Sequence, residues 1–165
     1  MSSTKPDNLA ITVRRAPPDF TDWELVRGLI LAAFAYMETR INPPSSALRL
    51  TAQSMKADAD KGALLLAERG GDLVGCVFAK VKDDALCIGK LAVRPGLQGA
   101  GIGRKLVDAA FAEARRLGLP MLELQTRIEL TENHATFARM GFVKTGEDAH
   151  EGFDRPTSIT MRAKV

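Results

Sequence analysis

Residues 91–106, LAVRPGLQGAGIGRKL, crowd four glycines (Gly96, Gly99, Gly101 and Gly103) just ahead of an amphipathic run. Glycine has no Cβ, so neighbouring backbone N–H groups can converge on one point. A helix starting at the end of such a stretch adds unpaired N–H donors and the positive end of its dipole. That combination suits a pyrophosphate, and Arg104 and Lys105 place full charges in the first turn. Two common phosphate patterns match poorly. A P-loop requires GxxxxGK[ST]; counted from Gly96 the second glycine is Gly101, but Ile102 follows it where Lys is needed. A dinucleotide fingerprint requires GxGxxG; Gly99 and Gly101 fit, and Arg104 occupies the third position. Glu123 does stand about 20 residues on, where that fingerprint has its ribose-binding acid, yet the preceding strand lies in a meander rather than in a leading βαβ unit. A glycine-rich turn that only joins strand to helix is the plain alternative.

Such a loop needs a strand before it and a helix after it, and the periodicities supply both. Residues 9–15 alternate as a strand. A helix is predicted over about 22–38, with Asp19, Thr21 and Asp22 as candidate caps and Leu25, Val26, Leu29, Ile30, Ala33, Phe34 and Met37 on one stripe. A weaker helix follows over about 51–60. Strands over 63–69, 73–81 and 85–93 form an antiparallel meander around tight turns. The helix after the loop spans about 101–117, with Leu106, Val107, Ala110, Phe111, Ala114 and Leu117 on its apolar face and Gly118 as its stop. A strand over 120–126, a short helix over 131–140 and strands over 142–146 and 157–164 complete the chain. The class is α+β, mixed α/β. A central, mostly antiparallel twisted sheet of about seven strands carries one right-handed parallel crossover and about four flanking helices.

On that strand–loop–helix, Gln98-Gly99-Ala100-Gly101-Ile102-Gly103 resembles the Q/R-x-x-G-x-G/A signature of the GNAT N-acetyltransferase superfamily. The order of elements is similar too. The strand ending Leu91-Ala92-Val93 resembles the family's fourth, and Met140-Gly141-Phe142 resembles its closing helix-to-strand turn. The resemblance implies one GNAT-like domain over 9–165 behind a polar tail at 1–8, with acetyl-coenzyme A as cofactor. Backbone amides from Gly99 to Arg104, with Gln98 and Ile102 among the signature residues, would take the pyrophosphate. The pantetheine arm would pair, strand-like, with the backbone of Leu91 and Val93, with Ala92 between them counted in the cofactor site, and Asn133 and Phe137 would face the coenzyme. The thioester would enter a gap between the fourth and fifth strands. A homodimer is part of what the resemblance implies.

The reaction so implied is attack of a neutral amine on a thioester carbonyl, which calls for a proton acceptor, a donor for the carbonyl oxygen and close alignment. Many family members carry a tyrosine acid where Phe137 stands; the only tyrosine here is Tyr36, in the first helix. That departure keeps open a catalytically silent acyl-coenzyme A sensor, beside a transferase of a longer acyl group. Glu123 is the base candidate, because alternation puts it with Gln125 on one face of its strand and Leu122 and Leu124 on the other. His134 is the second candidate, by its titration range. His150 reads as a loop residue and Cys87 as packing. Arg127, Glu129 and Glu132 read as a charged loop or as contacts to a polar acceptor. Tyr36, Arg40, Gln125 and Arg155 are the candidates for holding the acceptor, a small-molecule or protein primary amine.

Composition bounds the rest. The chain has 165 residues, about one domain's worth. Its net charge of +3, with one Trp and one Tyr, gives no argument for nucleic acid. Cys76 and Cys87 have no metal spacing, and no metal is expected. The N-terminus lacks an apolar signal core and no apolar run nears 18 residues, so a soluble cytoplasmic domain without a membrane partner is expected.

Overall fold

The computed structural model describes residues 10–165, so the tail at 1–8 and the first residue of the first strand lie outside the described residues. The elements, in chain order, are β1 (Ile11–Arg15), α1 (Trp23–Phe34), α2 (Ala52–Lys61), β2 (Ala63–Arg69), β3 (Asp72–Lys82), β4 (Ala85–Val93), α3 (Ile102–Arg116), β5 (Met121–Arg127), α4 (Thr131–Arg139), β6 (Val143–Asp148) and β7 (Ser158–Lys164). Two short 3-10 turns, Ala35–Met37 and Ser46–Arg49, lie between α1 and α2. The expected order holds. The helix expected to run to residue 38 stops at Phe34, where the chain tightens to i→i+3 bonding and Glu38 N donates to Ala35 O at 3.3 Å.

One seven-stranded sheet runs β1-β2-β3-β4-β5-β7-β6, antiparallel except at β4–β5. Its two faces bury two apolar cores. Val26, Ile30 and Met55 of α1 and α2 cover Leu64, Leu66, Cys76 and Ala92 on one face. Leu106, Val107 and Ala110 of α3 cover Val77, Leu86 and Leu122 on the other, with Phe142 filling the end of that core. Leu25 and Leu117, placed on the apolar stripes by periodicity, are instead exposed, at 62% and 41%. Close packing of α3 depends on Gly75 of β3. A Cβ there would stand 2.9 Å from Ile102 Cγ2 and 3.0 Å from Leu106 Cδ1.

Two features of β4 shape the centre. Against β3, Gly89 faces Phe78 and Ala92 faces Cys76, so Lys90 and Leu91 together oppose Val77 in a β-bulge. Lys90 sits there at φ +53°. Against β5, pairing covers only Ala85 to Ile88 with Met121 to Leu124. Beyond Ile88 the two strands part. No helix of the described residues is long and apolar enough to cross a membrane.

Candidate functional site

The glycine loop closes β4 onto α3. Gly99 and Gly101 take φ +86° and +83°, a region costly for residues with a Cβ, and a Cβ at either would meet no protein atom within 4 Å. The loop is braced from inside. Gly96 N donates to Gln98 Oε1 at 2.9 Å, and Leu97 N donates to Arg94 O at 3.0 Å. Gln98 thus serves the loop's own shape. Ala100 N donates to Leu97 O at 3.3 Å, which corrects the expectation that its amide faces a ligand. The N–H groups of Gly99, Gly101, Ile102, Gly103 and Arg104 have no acceptor among the described residues. Five amides and the start of a 15-residue helix therefore meet at one open surface, an arrangement that fits a pyrophosphate.

The gap between β4 and β5 opens into a cleft of about 570 Å³. Leu91, Thr126, Leu130, Asn133 and Phe137 line it, as do Phe78, Lys80, Lys90, Glu123 and Gln125. The cleft thus gathers the expected Leu91, Glu123, Gln125, Asn133 and Phe137. The cleft wall stops at Leu91: Ala92 turns its side chain into the core under α1, and Val93 and residues 98–104 are outside that wall. Phe137 has its ring 5.9 Å from that of Phe142, edge to face, and carries no hydroxyl into the cleft.

Glu123 is tied on both oxygens. Oε2 accepts from the Cys87 thiol at 3.2 Å, and Oε1 lies 3.2 Å from Arg162 Nε. Arg162 in turn pairs with Asp84. Burial, then Glu123, push the Cys87 thiol up to about 11, so it stays protonated and is no nucleophile near neutrality. His134 points elsewhere: its Nε2 is 3.0 Å from Arg127 O, and it is not part of the cleft wall.

His150, read from the sequence as a bystander, lines the cleft. Its backbone N–H donates to Thr157 Oγ1 at 2.8 Å, its ring Nδ1 contacts the same oxygen, and that hydroxyl donates to Asp148 O at 3.3 Å. Counting valences, the hydroxyl has one proton, given to Asp148, and two acceptor sites. Satisfying all three contacts puts the ring proton on Nδ1 and leaves a lone pair on Nε2. Burial lowers the His150 pKa, and the charge of Arg127 adds to that. No periodicity marks a loop residue of this kind; only the fold brings β6 and β7 together around it.

The acceptor candidates divide. Gln125 is in the cleft, whereas Tyr36, Arg40 and Arg155 are outside its wall. Arg40 stacks 5.9 Å over Tyr36 and pairs with Glu132, and Arg155 lies 5.5 Å over Phe153. Arg127 donates to Pro43 O at 2.7 Å and Pro44 O at 3.0 Å, and Asn42 N donates to Glu129 Oε2 at 3.0 Å. Arg127, Glu129 and Glu132 are therefore fasteners, pinning residues 40–44 across the end of the cleft.

A family model described as the acetyltransferase (GNAT) family matches residues 29–142, which span the bulge, the loop and α4. The chain belongs to the GNAT family. A mycothiol acetyltransferase of Sanguibacter keddieii is 35% identical over 108 residues, 61% of this chain and 34% of that protein. An IAA acetyltransferase of Azospirillum brasilense is 31% identical over 99 residues, 59% of this chain and 64% of that protein. The chain thus spans about a third of the mycothiol enzyme's length. In fold, this GNAT domain is similar to the PaiA N-acetyltransferase of Thermoplasma acidophilum in complex with coenzyme A, at a TM-score of 0.78 and 14% identity, covering 95% of this chain and all (100%) of that one.

Proposed function

We propose that this GNAT domain transfers an acetyl group from acetyl-coenzyme A to a primary amine. The observation that carries the reading is the set of five unpartnered amides, Gly99 and 101–104, in the loop that follows the β4 edge freed from β5. When bound, acetyl-coenzyme A supplies a thioester whose carbonyl carbon accepts the amine. The loop amides hold its pyrophosphate. The edge of β4 over residues 89–93, freed from β5, offers strand-like hydrogen bonds to the pantetheine arm and a donor to the thioester oxygen. Asn133 and Phe137 close the coenzyme's flank.

The proton acceptor is His150. The residue lines the cleft, the Thr157 contact leaves the lone pair on its Nε2, and burial favours its neutral form. Glu123 is less available to an incoming amine, because Arg162 and Cys87 already contact its two carboxylate oxygens. The presence of this imidazole favours an active transferase over a silent sensor despite Phe137. Two free thiols, Cys76 and Cys87, support the cytoplasm as its compartment.

Titration with acetyl-coenzyme A, followed by thiol release across a panel of amines, tests the reading. Binding and turnover are expected; no binding at millimolar coenzyme overturns it. Gly101→Glu sets a carboxylate against the pyrophosphate and weakens binding by roughly 4 kcal/mol, the repulsion of charges about 4 Å apart at an effective dielectric of 20. Unchanged affinity in that variant removes the loop from the site.

A further inference from the structure

The acceptor half of the cleft has a charge pattern of its own. Lys80 and Lys82 alternate on β3 and point to the same face, and Lys90 projects from the bulge of β4; all three line the cleft. Lys90 donates to Ser46 Oγ. Among the described residues, none of the three ammonium groups forms a salt bridge. The cleft's carboxylates are Asp58 and Glu123, and Glu123 shares Arg162 with Asp84. Three lysines therefore face two carboxylates, one of them partly offset. Burial lowers the pKa of Lys90, and Arg127 and Arg49 add to that against the opposing charge of Asp58. The same cleft is lined by the apolar side chains of Phe34, Met37, Ile41 and Phe78, with Phe78 on the strand face that carries Lys80 and Lys82.

We propose that the acceptor is an amine with an apolar body and an anionic group, the anion held by Lys80, Lys82 and Lys90 and the body by Phe34, Met37, Ile41 and Phe78. This rests on the acetyltransferase reading. It also excludes polyamines and lysine-rich peptides as good acceptors, because they would add positive charge to a cleft already in excess of it.

The test compares kcat/KM by thiol release for L-phenylalanine, L-phenylalaninamide, phenethylamine, O-phosphoethanolamine and spermidine. L-Phenylalanine is expected to exceed the amide, phenethylamine and spermidine by at least about tenfold, the equivalent of about 1.4 kcal/mol. The amide's amine is the less basic, so its neutral fraction runs against that result. O-Phosphoethanolamine, which carries an anion without an apolar body, reads the lysines alone: Lys80→Gln/Lys82→Gln should reduce its turnover, and turnover above that of L-phenylalanine overturns the proposal. The same double variant, and separately Lys90→Gln, should collapse the preference of L-phenylalanine over its amide, chiefly through KM. The exposed Lys82→Gln alone should reduce it in part and guards against misfolding of the others. Preference for phenethylamine or spermidine, no turnover of any compound by coenzyme-bound protein, or a preference that survives all the lysine variants overturns the proposal. If spermidine is the best acceptor, the acetyltransferase reading stands and only the acceptor class falls; if acetyl-coenzyme A does not bind, both fall.

Discussion

At the scale of single residues, two side chains that share the cleft, Glu123 and His150, are the groups through which the proposed proton transfer is tested. Their sequence signals were inverted relative to their surroundings. Glu123 was visible because strand alternation fixes its face, yet only the structure shows Arg162 and Cys87 occupying its oxygens. His150 gave no periodic signal, and its lone pair follows from Thr157, seven residues on in a loop. His150→Gln is expected to lower kcat by about 10²–10⁴, the usual worth of a positioned base, with acetyl-coenzyme A affinity unchanged by calorimetry. Loss of coenzyme affinity instead would make it a binding residue. The pH dependence follows in sign. The unfolded imidazole titrates near 6.5, and the folded one lower. Between those values the unfolded chain binds more protons. The stability linked to His150 is therefore complete above about 6.5 and is lost as pH falls toward the folded value. Urea midpoints measured across that window should show a slope that His150→Gln removes.

At the scale of elements, β2 and α3 were plain in the sequence. The run Ala63 to Ala67 is buried throughout, as a central strand requires, and Ile102, Leu106, Val107, Ala110 and Ala114 keep one buried stripe. The bulge at Lys90 and the break in pairing after Ile88 were not, because register between strands has no signature in either strand alone. Nor was the inward turn of the Ala100 amide, since a loop's hydrogen bonds depend on dihedrals rather than on residue types. The close seat of α3 on β3 yields a prediction. Gly75→Ala should destabilise by about 1–3 kcal/mol, the range for overpacking, as Ile102, Leu106 and the Ala92 carbonyl at 3.1 Å are displaced. Chemical denaturation measures it; a neutral result would mean that α3 shifts freely.

At the scale of the whole molecule, binding and folding share one free energy. A ligand that grips the loop and fills the gap binds the folded chain alone. Acetyl-coenzyme A at a hundredfold over its Kd should therefore add about 2.7 kcal/mol of stability. For a domain of this size that is a rise in Tm of roughly 5–10 °C by calorimetry. Coenzyme A lacking the acetyl group should give a similar shift if the pyrophosphate loop dominates the grip. No shift with either would mean that the open amides of 99–104 take no such ligand.

The four rungs between β4 and β5 join three strands on one side to four on the other along a single short seam. Above that seam, the backbone of residues 89–93 has lost one row of its neighbours. Its amide protons on that edge should trade with deuterated water quickly, while those of residues 85–88 trade slowly. A coenzyme lying along the edge restores the missing row. Slowed isotope uptake at 89–93 would then report occupancy of the gap directly, in a protein that turns nothing over.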